Sequence, residues 1–187
     1  MGIKILLVGK KFSGKTTVAQ YIKQKHGFKE YTFAEPLKEV CKQIFSLTDD
    51  QLYNQEQKER VDDRWGITPR KMFQNMGDLL REQMPIYFNV PNEPKIFTQI
   101  LKNKIKDNED LIISDGRLPD EVKWFRTLKD GIIIKIKRDG LESNDTHITE
   151  QFDYECDVVI QNNGSLEELY RTIDEIMNKI KENISLN

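Results

Sequence analysis

Gly9-Lys10-Lys11-Phe12-Ser13-Gly14-Lys15-Thr16 satisfies G-x-x-x-x-G-K-[S/T] at every fixed position. Each residue type answers a requirement of phosphate chemistry. Glycines at Gly9 and Gly14 let the backbone turn so that successive N–H groups face phosphate oxygens. A helix opening at the end of the loop adds its positive N-terminal end. Lys15 brings a point charge to β- and γ-phosphates, and a threonine hydroxyl is a suitable oxygen for Mg²⁺. The pattern therefore predicts a triphosphate site, read as ATP with Mg²⁺, over Gly9 to Thr17.

A second group of candidates follows the apolar run that ends in Ser114-Asp115. Asp115 at a strand end can order Mg²⁺ or orient an acceptor, although alone such a residue also suits a turn or helix cap. Arg117 stands two residues on, where a guanidinium can stabilise charge on a migrating phosphoryl group. Arg138 repeats that arrangement after another apolar run and leads into a polar stretch. Residues 138–151 are accordingly expected to form a lid that excludes water from the phosphates.

These residues need a scaffold that brings strand ends together. Ile3 to Val8 is continuously apolar, as in a strand buried on both faces of a parallel sheet. Lys29 to Phe33, Leu111 to Ser114, Ile132 to Ile136 and Val158 to Ile160 supply four more strands. Helical segments separate them: Thr17 to Lys25, Pro36 to Phe45, Thr68 to about Met84, Ile96 to Ile105, Pro119 to Leu128, and a last helix from Ser165. Thr68-Pro69 is a cap followed by proline at the first helical position, and Ser165 with Glu168 reads as a capping box. Thr48 to Trp65 is charge-dense and shows no core pattern. Alternating strands and helices predict an α/β fold: a five-stranded parallel sheet of P-loop NTPase type flanked by helices. Residues 34–108 read as a helical substrate-side insertion within a single domain spanning 1–187.

Composition narrows the class. The chain has 187 residues, with 29 basic and 31 acidic side chains and a net charge of −2. That balance argues against a nucleic-acid-coating protein, which carries a basic face. No apolar run reaches the roughly 18 residues of a membrane span, and Ile3 to Val8 is too short for a signal peptide. Cys41 and Cys156 are too few and too scattered for a disulfide framework or zinc site. The expectation is a cytoplasmic protein acting on a small anionic ligand. His26 beside Gly27 reads as a helix C-terminal cation, and Trp65 and Trp124 as packing residues.

In ordered blocks across most of the chain, the sequence resembles the phage-type deoxynucleoside monophosphate kinases. The blocks are the phosphate loop through Thr17, Phe33-Ala34-Glu35-Pro36-Leu37-Lys38, and Thr68-Pro69-Arg70 with Gln74, Gly77 and Arg81. Ser114-Asp115-Gly116-Arg117-Leu118-Pro119-Asp120-Glu121 is similar to the family's S-D-x-R-x-P-x-E. Arg138 with His147-Ile148-Thr149-Glu150 follows, then Asn162-Asn163-Gly164-Ser165-Leu166.

The resemblance implies roles. Gly9, Ser13, Gly14, Lys15, Thr16 and Thr17 would hold the ATP phosphates, and Asn163 and Gly164 would border its adenine. Lys11, Lys38, Arg70, Gly77, Arg81 and Glu150 would lie on the monophosphate side, with Phe33 and Gln74 near its base or sugar. Lys15, Asp115, Arg117 and Arg138 would be catalytic. A homodimer is also implied, although no stretch of sequence marks an interface. Three positions depart from the family: Thr16 stands where aspartate is frequent, Asp78 where a threonine is expected, and Phe97 where a tryptophan is expected. The first leaves Thr16, Thr17 and Asp115 all as metal candidates.

Without the resemblance, Arg70, Gln74, Asp78 and Arg81 would suit the solvated face of a helix. The competing reading is another small P-loop kinase, acting on phosphomevalonate or dephospho-coenzyme A, since phosphomevalonate kinases share the S-D-x-R block. A guanine-nucleotide switch would need an Asn-Lys-x-Asp signature, which is absent from the sequence. A nucleic-acid-stimulated ATPase would prefer a basic surface.

Overall fold

The structure is a computed structural model that describes residues 2–89, 95–141 and 155–185. Two compact units make up the chain: Met1–Thr32 with Ile105–Asn187, and Phe33–Lys104.

The first unit is built on five parallel strands: β1 (Lys4–Val8), β2 (Lys29–Tyr31), β3 (Leu111–Gly116), β4 (Gly131–Lys137) and β5 (Val158–Gln161), in the order β2-β3-β1-β4-β5. β1 lies in the centre with neighbours on both sides, which is why all five of its residues are buried. Helix α1 (Lys15–His26) leaves the loop after β1, and the C-terminal helix α9 is Leu166–Ser185. Strand periodicity sends Ile5 and Leu7 to one face, where they join Val18, Ala19 and Ile22 of α1 and Leu169, Ile173 and Met177 of α9. At the far end of α1, Tyr21, Lys25 and His26 all bond the Asp174 carboxylate, and Tyr21 stacks on Tyr170 at 3.9 Å. Because β1 pairs with β3 on one side and β4 on the other, the crossovers diverge at its C-terminal end. That is the position where open α/β sheets bind ligands.

The second unit is helical: α2 (Glu35–Phe45), α3 (Asp49–Tyr53), α4 (Gln55–Glu59), α5 (Pro69–Asp78), α6 (Met84–Tyr87) and α7 (Ile96–Lys104). Leu37, Cys41, Leu52, Met72, Phe97 and Leu101 are among its buried side chains. The stretch that looked patternless contains α3 and α4, each five residues long. Thr48 and Gln51 form a reciprocal capping box, Asn54 caps α4 and Thr68 caps α5. The helix expected from Thr68 to Met84 runs on to Tyr87 with a widened turn at Leu79–Gln83, where the Met84 N–H bonds Leu79 O. Pro85 gives the reason, since it has no N–H to continue the α-helical ladder and its ring clashes with the carbonyl four residues back.

Candidate active site

The loop leaving β1 is shaped by backbone conformations that its glycines permit. Gly9 and Gly14 have φ of +146° and +105°. A Cβ on Gly9 would lie 2.4 Å from Ile136 O, and one on Gly14 would lie 2.3 Å from Asn162 Nδ2. Phe12 also takes a left-handed conformation, with φ of +65° and its ring largely exposed beneath Lys11 Nζ, 5.0 Å from the centroid. Lys15 is buried, and its ammonium donates to Gly9 O at 2.5 Å and Lys10 O at 2.7 Å, so the charge is held inside the loop. No side chain caps α1 at Gly14, which leaves its N-terminus suited to an anion. Ser13 Oγ is buried with no hydrogen-bond partner among the described residues. Thr16 is exposed and Thr17 half-buried in the first turn of α1.

β3 ends beside this loop. Leu6 pairs with Ile113 and Val8 with Gly116, so β3 carries one extra residue there. Such a bulge re-aims side chains at a strand end, and Ser114 and Asp115 lie inside it. Gly116 is required by contact: a Cβ would meet Leu6 Cδ1 at 2.7 Å and Leu7 O at 3.1 Å. Asp115 and Arg117 are both half-buried. The following helix, α8 (Pro119–Phe125), contributes Glu121, a buried carboxylate whose Oε2 accepts from Arg117 N at 2.8 Å and Leu118 N at 3.0 Å. Arg138 is exposed just past β4. Asp115, Arg117 and Arg138 thus emerge at the end of the sheet where the loop sits. The Asn163 amide engages Asp139 twice, accepting from its N–H at 2.9 Å and donating to Oδ2 at 2.6 Å. Ser165 and Glu168 form the expected capping box beside Gly164.

In the helical unit, each cation named from the sequence has a local partner. Lys38 lies 3.4 Å from Glu35 Oε2 and 4.5 Å above the Tyr53 ring, whose hydroxyl donates to Glu35 at 2.6 Å. That hydrogen bond is the main reason the Tyr53 hydroxyl is pushed up to about 12. Arg70 pairs with Glu59 and donates to Gln55 Oε1 at 2.9 Å. Arg81 rests on the Phe97 ring, 4.7 Å from guanidinium carbon to centroid. Gly77 leaves room for it, since a Cβ there would lie 2.8 Å from Arg81 Nη1. Phe33 is buried and Gln74 half-buried. Glu150 and His147 lie outside the described residues, and the expected lid is described only to Leu141.

Sequence reasoning left Glu121, Asn162, Gln55, Glu59 and Tyr53 without roles. Glu121 had a local signal, three residues after Leu118 at a helix start. Asn162 stood in the last of the family-like blocks without a role of its own, and Gln55, Glu59 and Tyr53 had no signal.

Among the described residues no group of three or more His, Cys, Asp or Glu side chains could hold a metal ion. The oxygen donors near the loop, Thr16, Thr17 and Asp115, nonetheless fit Mg²⁺, which takes few protein ligands and keeps water and phosphate oxygens.

A family profile described as deoxynucleotide monophosphate kinase matches residues 4–64 and 50–173. The chain belongs to the deoxynucleotide monophosphate kinase family. A protein of Acanthamoeba polyphaga mimivirus whose description assigns it to the same family is 42% identical over 184 residues, covering 91% of this chain and 94% of that one. The deoxynucleotide monophosphate kinase of Escherichia phage RB69 is 32% identical over 120 residues, 63% of this chain and 47% of its own length. Among solved structures, the dephospho-CoA kinase from Campylobacter jejuni matches at a TM-score of 0.55, with 98% of this chain and 99% of that one covered. At 16% identity that likeness establishes the α/β kinase fold alone. The protein is a kinase of this family. No helix among the described residues is long and apolar enough to cross a membrane.

Proposed function

We propose that this kinase transfers the γ-phosphoryl group of ATP to the 5′-phosphate of a deoxynucleoside monophosphate, giving the diphosphate and ADP. An acceptor phosphate oxygen forms the new bond to the γ-phosphorus as the bond to the β-phosphate oxygen breaks. The observation that carries the reading is the buried Lys15 ammonium inside a glycine-shaped loop, with Asp115 and Arg117 emerging at the same sheet end. Positioning and charge account for such a transfer, and no general base of unusual pKa is required.

Lys15 would hold the β- and γ-phosphates, with Gly9, Ser13, Gly14, Thr16 and Thr17 around them. Arg117 and Arg138 would stabilise charge on the phosphoryl group in flight. Thr16, Thr17 and Asp115 are the residues that would hold Mg²⁺, which neutralises charge between the phosphates when bound. Asn163 and Gly164 would border the adenine, with Asn163 fixed by Asp139. Residues 33–104 would supply the acceptor side through Lys38, Arg70 and Arg81, with Lys11 from the loop, Gln74 and Phe33 toward the sugar and base, and Gly77 giving Arg81 its place. Two free thiols, Cys41 and Cys156, suit a reducing compartment, the cytoplasm in this reading.

The test is ADP release with ATP and Mg²⁺ against a panel of deoxy- and ribonucleoside monophosphates, phosphomevalonate and dephospho-coenzyme A. Turnover with deoxynucleotides, abolished by Lys15→Ala and Arg117→Ala, supports the reading and supplies the base preference. Activity only on a non-nucleotide acceptor overturns it.

A further inference from the structure

The turn between β5 and α9 contains a side chain with no assigned role that reaches the phosphate loop. Asn162 Nδ2 donates to Ser13 O at 2.8 Å, across 149 positions of sequence. Its backbone N–H also donates to Lys137 O at 2.7 Å, which fixes the residue against the end of β4. The amide packs so closely that a Cβ on Gly14 would sit 2.3 Å from Nδ2. The next residues hold the turn itself: Asn163 clasps Asp139, and Ser165 and Glu168 cap α9.

The bond to Ser13 O has a consequence for the other side of that peptide. In a planar trans peptide the carbonyl and the following N–H point in opposite directions. Tying Ser13 O to Asn162 therefore turns the Gly14 N–H away from Asn162. Gly14 is the residue on which this matters most, because glycine permits the peptide to rotate into alternative conformations that other residues exclude. A flipped Ser13–Gly14 peptide would present a carbonyl oxygen where an N–H had been, replacing attraction for phosphate with repulsion.

We propose that Asn162 is a positioning residue for the nucleotide phosphates: it locks the Ser13–Gly14 peptide in the orientation that accepts them. The proposal rests on the assignment of the loop to ATP and is independent of the acceptor.

Asn162→Ala and Asn162→Asp test it. ADP binding is measured by calorimetry without acceptor, and KM is measured separately for ATP and for the deoxynucleotide. Loss of one such hydrogen bond is expected to raise the ADP Kd and the ATP KM about two- to twelvefold in parallel, with the acceptor KM unchanged. An unchanged ADP Kd in Asn162→Ala overturns the proposal. So does a parallel rise in both KM values, the signature of general loosening. Asn162→Asp keeps the shape but replaces the donor by an acceptor, so wild-type ADP affinity in that variant overturns the proposal even where the alanine variant fails to fold. Wild-type protein that binds no ADP would refute the assignment of the loop to ATP and the latch with it.

Discussion

Glu121→Ala is the perturbation that best separates positioning from chemistry at Arg117. The Glu121 carboxylate is buried, and one of its oxygens accepts from two successive backbone N–H groups, Arg117 and Leu118. Hydrogen bonds to a charged group contribute about 1.5–3 kcal/mol each, and an abandoned donor costs its own desolvation. Arg117 and Leu118 are only half-buried, so water can recover part of the loss, and the net destabilisation of Glu121→Ala is expected at about 2–4 kcal/mol. Glu121→Gln keeps an amide oxygen for the same two donors. It should lose about 1–2 kcal/mol, because the bonds become neutral ones. In turnover, releasing the Arg117 backbone misplaces its guanidinium, and misplacement on the order of 1 Å costs roughly 10²-fold in rate. The assay pairs urea unfolding with ADP release at saturating substrates, under conditions where each variant is fully folded. A folded Glu121→Ala with wild-type kcat would show that the Glu121 carboxylate does not place Arg117. So would equal loss in the alanine and glutamine variants, since glutamine keeps an oxygen acceptor for the two N–H groups.

Three further outcomes are expected. Phe97→Ala should raise the acceptor KM about three- to tenfold with little change in ATP KM, by removing the ring under Arg81, while Phe97→Trp should retain near-wild-type values. Steady-state kinetics with each substrate varied in turn checks both. Asp174 and Asp62 are held below the usual carboxylate range, Asp174 chiefly by the Lys25 hydrogen bond and Asp62 chiefly by Arg64. Their folded-state pKa values are depressed, so their contribution is complete above the unfolded value near ~3.9 and is lost as pH falls through the folded values. Urea unfolding should show a decline below about pH 4 that Asp174→Asn makes shallower. Burial pushes the Cys41 thiol up to about 11, so Ellman's reagent should titrate the half-buried Cys156 first and reach Cys41 only on unfolding.

The phosphate loop was legible because its residues are contiguous, and the types that make the chemistry also make the turn. Asp115 and Arg117, two positions apart at the end of an apolar run, were legible in the same way as candidates at the end of a strand, which β3 provides. What the sequence hid is mostly what joins distant segments. Strand order does not follow from strand existence, and the Asn162 to Ser13 contact depends on β5 lying beside β4. The segment from Thr48 to Trp65 failed for another reason. Helical periodicity needs several turns to register, and α3 and α4 are five residues each with Leu52 as the one buried residue between them. Gln55 and Glu59, the partners of Arg70, come from that stretch, so the environment of that candidate cation stayed invisible.

In the proposed reading the two units would handle phosphate differently, and the difference follows from where their charge resides. Around Lys15 the proposed receptor would be largely backbone, and backbone N–H groups must be aimed by restraining whole peptides. Restraint of that kind comes from non-local contacts: Ile136 O against Gly9, Asn162 against Ser13 and Gly14, Leu6 against Gly116. In the helical unit the charge sits on long side chains, which lose more entropy when fixed, and their partners are correspondingly near in sequence or on an adjacent short helix. Two of those partners, Glu35 and Glu59, are carboxylates. A carboxylate orients a cation but also neutralises it, so a phosphate arriving at Lys38 or Arg70, as proposed, would have to share it with a competitor. Arg81 is supported instead by a neutral ring that orients the guanidinium without cancelling its charge. Of the three proposed acceptor-side cations, Arg81 is therefore the one whose support would add least opposition to a phosphate.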